Sequence, residues 1–139
     1  MKISIFAGVL LISAALISVD GQTWDWFQHK HINAGMTSGQ CTMVIAARGI
    51  VDPHGGCKGL NTFITGSVNN IPFICSPVGG TPYYGYRISY ATFPIVDCYL
   101  VNPNAVPPYC QYNGVGPNNR RIIIACRNGQ PVHFHGSRV

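Results

Sequence analysis

Acidic side chains are scarce in this chain. It contains no glutamate, and its four aspartates are Asp20, Asp25, Asp52 and Asp97. Nine lysines and arginines stand against them, giving a formal net charge of +5 at pH 7. That balance favours an anionic partner such as RNA, a glycan or a bacterial surface, although positive charge alone also keeps a protein soluble. Charged residues of both signs make up only 9% of the chain, which excludes a polycationic tail. No Cys-x-x-Cys pair is present, which argues against a structural zinc site. There is no Asn-x-Ser/Thr sequon, so N-glycosylation is not expected. Internal repeats, linkers and low-complexity blocks are also missing, and no second long apolar run follows the one near the N-terminus.

That first run is itself informative. Met1-Lys2 supplies a short positive start, Ile3 to Val19 carry no charge, and Val19-Asp20-Gly21 precede an expected cut that leaves Gln22 at the mature N-terminus. The run is short and stands alone, which fits a secretory signal peptide over residues 1–21 rather than a membrane anchor. One small domain is then expected over residues 22–139. All six cysteines, Cys41, Cys57, Cys75, Cys98, Cys110 and Cys126, fall within it. An even count in a small secreted chain implies three disulfides, and counting alone leaves fifteen pairings open.

Local patterning predicts helices first and strands afterwards. Thr23 can cap a helix starting at Trp24, with Asp25 in its first turn and an end near Asn33-Ala34-Gly35. A second helix is expected from Cys41 to Arg48, closed by Gly49. Asn61–Thr65, Ile71–Cys75, Tyr86–Ala91, Phe93–Leu100 and Arg121–Cys126 are rich in β-branched and aromatic residues and read as strands. Gly79-Gly80-Thr81-Pro82 and Asn102-Pro103-Asn104 read as turns. Asn128-Gly129 is a type I′ hairpin signal that folds Ile122–Cys126 back on Val132–His135. The expected class is α+β with a mostly antiparallel sheet.

Three residues stand out against this frame. Phe27 and His31, four apart on the first helix, share a face from which His29 is rotated away. On the last strand, alternation places Val132 and Phe134 on one side and His133 and His135 on the other. Lys58 follows Cys57 directly. Taken singly, each is an ordinary surface residue. Two histidines and a lysine brought together can move protons and hold a phosphate.

The spacing of Phe27 and His31, the run Cys57-Lys58-x-x-Asn61-Thr62-Phe63 and the run Pro131-Val132-His133-Phe134 together resemble the pancreatic ribonuclease (RNase A) superfamily. The resemblance extends from about Trp24 to His135 and keeps motif order. Six cysteines rather than eight, with Asn61-Thr62-Phe63-Ile64 and Pro107-Pro108-Tyr109-Cys110-Gln111-Tyr112, look most like the angiogenin-type members of fish or other non-mammalian vertebrates. The resemblance implies an RNase A-like fold, short helices packed on a V-shaped antiparallel sheet. It also implies the pairing Cys41–Cys98, Cys57–Cys110 and Cys75–Cys126. Loops of roughly fifty residues closed in this way each stabilise by about 4 kcal/mol in the chain-entropy model. The fourth bridge of the digestive members is missing, because no cysteine lies between Cys75 and Cys98. The loop from Ser76 to Tyr86, which in the family helps hold one base, is therefore expected to differ.

The implied activity is metal-free endonucleolytic cleavage of RNA on the 3′ side of pyrimidines. His31 serves as the base toward the ribose 2′-hydroxyl and His133 as the acid toward the departing 5′-oxygen. Lys58 and the backbone N–H of Phe134 stabilise charge on the phosphate oxygens. An unperturbed pKa near 6.5 suits histidine to both tasks. Thr62 matches the family's pyrimidine-reading residue and Asp97 its acidic neighbour, and the resemblance implies that Asn61, in the same motif, also belongs to the substrate-binding set. Three positions depart from the digestive pattern. Lys30 replaces a glutamine near the phosphate, Arg127 replaces an acidic contact to the second base, and His135 replaces the aspartate that orients the C-terminal histidine. A charged His135 would depress the pKa of His133, and weaker activity than in digestive members is expected.

RNA is the principal partner on this reading. Anionic cell surfaces or bacterial membranes, and a ribonuclease inhibitor protein, are further candidates, and a monomer suffices. A competing reading keeps the fold and makes binding dominant, as angiogenin-like signalling or cationic host defence, with Arg120, Arg121, Arg127 and Arg138 forming one patch. A lesser alternative is copper or zinc on His133 and His135. No cofactor and no metal are called for.

Overall fold

Thr23 opens the first element. In the computed structural model, which describes residues 22–139, the Trp26 N–H donates to the Thr23 hydroxyl at 3.1 Å, and helix α1 runs from Trp24 to His31. The segment read as a signal peptide lies outside the described residues. Helix α1 ends earlier than its sequence suggests, because Ile32 turns extended and bridges to Ile64. The Asn33 and Gly35 N–H groups then donate to Ile64 and Thr65 carbonyls, so the chain leaving the helix is held on a strand edge. A 3₁₀ turn at Ser38–Gln40 leads into α2, Cys41–Arg48, which ends where Gly49 takes a left-handed φ of 63°.

The remainder is mostly strand. β1 spans Leu60–Ile64, β2 Gly80–Tyr83, β3 Tyr86–Ser89, β4 Phe93–Leu100, β5 Tyr112–Arg127 and β6 Gln130–Arg138. All pairings are antiparallel, in the order β1-β4-β5-β3-β2, with β6 also on β5. Asn128 and Gly129 take positive φ values of 53° and 74°, the backbone of the expected type I′ turn between β5 and β6. The architecture is α+β, short helices on an antiparallel sheet closed by three disulfides. Cys41 joins Cys98, Cys57 joins Cys110 and Cys75 joins Cys126.

Two readings of local pattern are corrected. Ile71–Cys75 is not a strand: Pro72 begins a 3₁₀ turn, Pro72–Cys75, and Ile71 and Ile74 are both buried at helical spacing. Gly79–Pro82 is not simply a turn, since Gly80 pairs with Ser89 in β2. β5 is also far longer than Arg121–Cys126. Its glycine- and asparagine-rich first half is ordered by pairing with β4, from Leu100 with Tyr112 to Phe93 with Arg120, across an irregularity between Ile95 and Asp97.

Alternation along β1 builds the core on both faces of the sheet. Phe63 packs with Met36, Val44, Ile45, Ile50 and Val96 under α2. Ile64 joins Phe27, Ile71, Ile74, Ile95, Ile122 and Ile124 under α1. Thr62 shares the Ile64 face by the two-residue period of a strand, which brings it beneath the end of α1.

Candidate active site

A cleft of about 950 Å³ opens where α1, β1, β4 and β6 meet, and His31, Lys58, Thr62, Asp97, His133 and Phe134 all line it. Lys30 borders it too, while Asn61 lies buried just behind Lys58. The residues singled out from three distant stretches of sequence therefore share one cavity.

His31 is 6% exposed, between Phe27 at 5.4 Å and Phe134 at 5.2 Å between ring centroids. Its Nδ1 lies 2.9 Å from the Thr62 carbonyl. A carbonyl can only accept, so Nδ1 carries the proton and the neutral ring keeps a lone pair on Nε2. Burial, then the charge of Lys58, holds the pKa of His31 down to about 3, and the Thr62 bond offsets this only in part.

Lys58 donates from Nζ to Asn61 Oδ1 at 2.7 Å, and Asn61 donates in turn from Nδ2 to the Lys30 carbonyl at 2.9 Å. The Tyr112 hydroxyl pins the Lys58 carbonyl at 2.5 Å. Burial and the neighbouring Lys30 lower the Lys58 pKa to about 8, and burial lowers that of Lys30. Cations crowded and partly desolvated in this way are stabilised when an anion enters between them.

Thr62 and Asp97 are register partners on β1 and β4. The Thr62 hydroxyl donates to Asp97 Oδ1 at 2.5 Å, which leaves the hydroxyl oxygen free to accept.

On β6, Phe134 turns toward His31 and the core while His133 and His135 turn toward Tyr86. The Tyr86 ring stacks on His135 at 3.9 Å with an interplanar angle of 16°. Strand periodicity within β6 cannot reveal this contact, because it depends on β3 and β6 flanking β5: Arg87 pairs with Ile124 on one side and His133 with Ala125 on the other. Burial, then His135, then Lys30 and Lys58 lower the pKa of His133. His29 lies outside the cleft, its Nε2 2.7 Å from the Arg48 carbonyl.

The four arginines do not form one patch. Arg121 and Arg138 are register partners and Arg120 binds Ser137, but Arg127 lies six residues further along β5, about 20 Å away at ordinary strand rise. Among the described residues no group of three or more His, Cys, Asp or Glu side chains is placed to hold a metal ion.

Cleft, fold and disulfides together define a small disulfide-bonded nuclease-like domain. The family model for pancreatic ribonuclease matches residues 22–135, and the chain belongs to that family. It is 39% identical to the pancreatic ribonuclease of Iguana iguana over 119 residues, covering 81% of this chain and 96% of the relative. It is 32% identical to the angiogenin of Oryctolagus cuniculus over 137 residues, covering 96% and 89%. Among solved structures it is similar to zebrafish RNase5, with a TM-score of 0.74 and 32% identity over 81% of this chain and 91% of that one. Green turtle egg white ribonuclease gives a TM-score of 0.71 and 33% identity, covering 82% and 97%. The chain fits the angiogenin-type members of the family.

Proposed function

We propose that residues 1–21 are a signal peptide and that the secreted chain from Gln22 cleaves RNA on the 3′ side of pyrimidines by metal-free acid–base chemistry. His31 Nε2 removes the proton of the ribose 2′-hydroxyl, and the 2′-oxygen bonds to phosphorus. His133 protonates the 5′-oxygen as the P–O5′ bond breaks, leaving a 2′,3′-cyclic phosphate. Water then opens that ring with the two histidines in exchanged roles. Lys58, Lys30 and the Phe134 N–H face the phosphate oxygens as charge gathers there. Thr62, positioned by Asp97, reads the base.

The observation that carries this reading is the tautomer of His31. The Thr62 carbonyl holds the proton on Nδ1, so the neutral ring offers the unprotonated nitrogen that a base requires. Activity below that of digestive members is supported by His133, whose lowered pKa leaves less of the acid form at neutral pH. The likeness to angiogenins supports a second reading, in which signalling or host defence through binding dominates.

The test is cleavage of RNA by refolded Gln22–Val139 beside its His31→Ala and His133→Ala variants, with chelator present. Cleavage lost in both variants is expected, with DNA left intact for want of a 2′-hydroxyl. Equal cleavage by all three proteins would expose a contaminant and overturn the assignment. A biological activity that survives His133→Ala would favour the binding reading.

A further inference from the structure

Tyr84 sits where a tyrosine is poorly tolerated. With Gly85 it forms the two-residue turn between β2 and β3, and their φ values are 49° and 83°. Such turns favour asparagine, aspartate or glycine at the first position, and a bulky residue at positive φ is an outlier. The ring is 89% exposed, so core packing does not hold it there. It meets the Tyr83 ring edge-on at 4.8 Å. The Arg138 guanidinium lies 5.8 Å from the Tyr83 ring centroid and donates to its hydroxyl at 2.6 Å. Tyr83 is the register partner of Tyr86, and directly opposite residues share a sheet face. Tyr86 stacks on His135, which lines the cleft. Aromatic side chains therefore lie along one face of the sheet from His133 and His135 through Tyr86 to Tyr83, with Tyr84 at the tip of the hairpin.

The polarity of that surface follows from the acid–base reading, on which this inference rests. His133 protonates the departing 5′-oxygen, so the RNA that continues on the 3′ side of the cut passes His133 and His135 toward the hairpin. We propose that Tyr83, Tyr84 and Tyr86, with Arg138, form a stacking platform for single-stranded RNA beyond the nucleotide next to the scissile phosphate. Aromatic faces hold bases of any identity, and a guanidinium beside them meets the backbone phosphate, so the platform confers a preference for length rather than for sequence. Continuity with the cleft and the +5 net charge both favour a nucleic acid strand as the occupant.

The experiment compares two oligonucleotides that each carry one ribonucleotide in an otherwise deoxy strand, one with a single nucleotide downstream of the cut and one with five. The quantity read is the ratio of their kcat/KM values in wild type, Tyr84→Gly, Tyr84→Trp and Arg138→Ala. Glycine suits the positive φ, so Tyr84→Gly removes the ring without straining the fold. In parallel, fluorescence anisotropy measures affinity for the longer strand made wholly of deoxynucleotides, which the protein cannot cleave. The expected result is a preference for the longer substrate that falls about five-fold or more in Tyr84→Gly and Arg138→Ala and persists in Tyr84→Trp, with affinity moving in step. An unchanged ratio and unchanged affinity in Tyr84→Gly would overturn the platform. If wild type cleaves neither substrate, the catalytic reading fails, and the anisotropy comparison alone supports or overturns the platform. Loss of binding to phosphatidylglycerol vesicles in Tyr84→Gly, with oligonucleotide affinity intact, would overturn RNA as the occupant.

Discussion

His31 is tied to the backbone of Thr62 by a bond of 2.9 Å from Nδ1 to the carbonyl, and the hydroxyl of that same threonine donates to Asp97 at 2.5 Å. One residue of β1 thus orients an imidazole through its main chain and presents an acceptor oxygen to the cleft through its side chain. A shift of β1 against α1 would disturb both groups together. The Ile32–Ile64 bridge holds the chain leaving α1 on β1, and the Cys41–Cys98 disulfide ties α2 to β4 one residue beyond Asp97, so both bear on this pair of contacts from outside the cleft.

The pH dependence of kcat/KM should lie on the acid side of the usual histidine range. This ratio reports the free protein, in which His31 acts neutral and His133 protonated. Burial holds His31 at about 3, so the acidic limb falls at low pH, and the lowered pKa of His133 brings the basic limb below 6.5. His135 is among the causes that lower the His133 pKa, and aspartate in its place would put an anion there, so the basic limb should move to higher pH and neutral activity should rise. A pH–rate profile of wild type and His135→Asp checks both points. A basic limb that does not move would show that His135 has no electrostatic hold on His133.

How much of this was legible in the sequence depends on whether the determining contacts are local. The N-cap at Thr23, helix α2 and the Asn128-Gly129 turn were legible because each is set by side chains within a few residues. The strand reading of Ile71–Cys75 failed because β-branched and apolar content outweighed both Pro72 and the helical spacing of Ile71 and Ile74. The first half of β5 was hidden because Asn113-Gly114-Val115-Gly116 has little strand preference of its own and takes its form from β4. His31, Lys58 and His133 could be chosen only as a constellation that resembles a known family. The stack of Tyr86 on His135 depends on sheet order, which no window of sequence contains.

Asn61 should matter to catalysis without touching the reacting atoms. It is 1% exposed and links the Lys58 ammonium to the Lys30 carbonyl. Asn61→Ala leaves Lys58 without its anchor and should lower kcat by about 10²-fold through misplacement of the charge. The unpaired Lys30 carbonyl should also reduce stability by about 1–3 kcal/mol. Steady-state kinetics with urea denaturation at the same pH separates the two effects. Full kcat in a destabilised variant would leave Asn61 a purely structural role.

Asp97 should set the preference between uracil and cytosine. While Thr62 donates to Asp97, its oxygen can accept from the N3–H of uracil. Cytosine presents an acceptor at N3, so the hydroxyl must turn its proton to the base and abandon Asp97. Asp97→Ala should therefore slow cleavage after uridine more than after cytidine, by a ratio of about five- to ten-fold for one charge-assisted hydrogen bond. Paired substrates differing only in that base measure the ratio, and equal losses on both would count against this assignment.

Acid should destabilise the fold through the group that makes it a candidate catalyst. His31 is buried with a pKa of about 3 against an ordinary 6.5, so between these values the unfolded chain binds a proton that the folded chain refuses. Stability is then undiminished above pH 6.5 and falls as pH drops toward 3, by up to about 5 kcal/mol if the whole shift is realised. His133, also lowered, adds to the same slope. Thermal unfolding between pH 7 and pH 4, with disulfides intact, should show a melting temperature that declines in wild type and declines less steeply in His31→Ala. Parallel slopes in the two proteins would mean that His31 is protonated in the fold without penalty, and the tautomer argument for its role as a base would lose its electrostatic support.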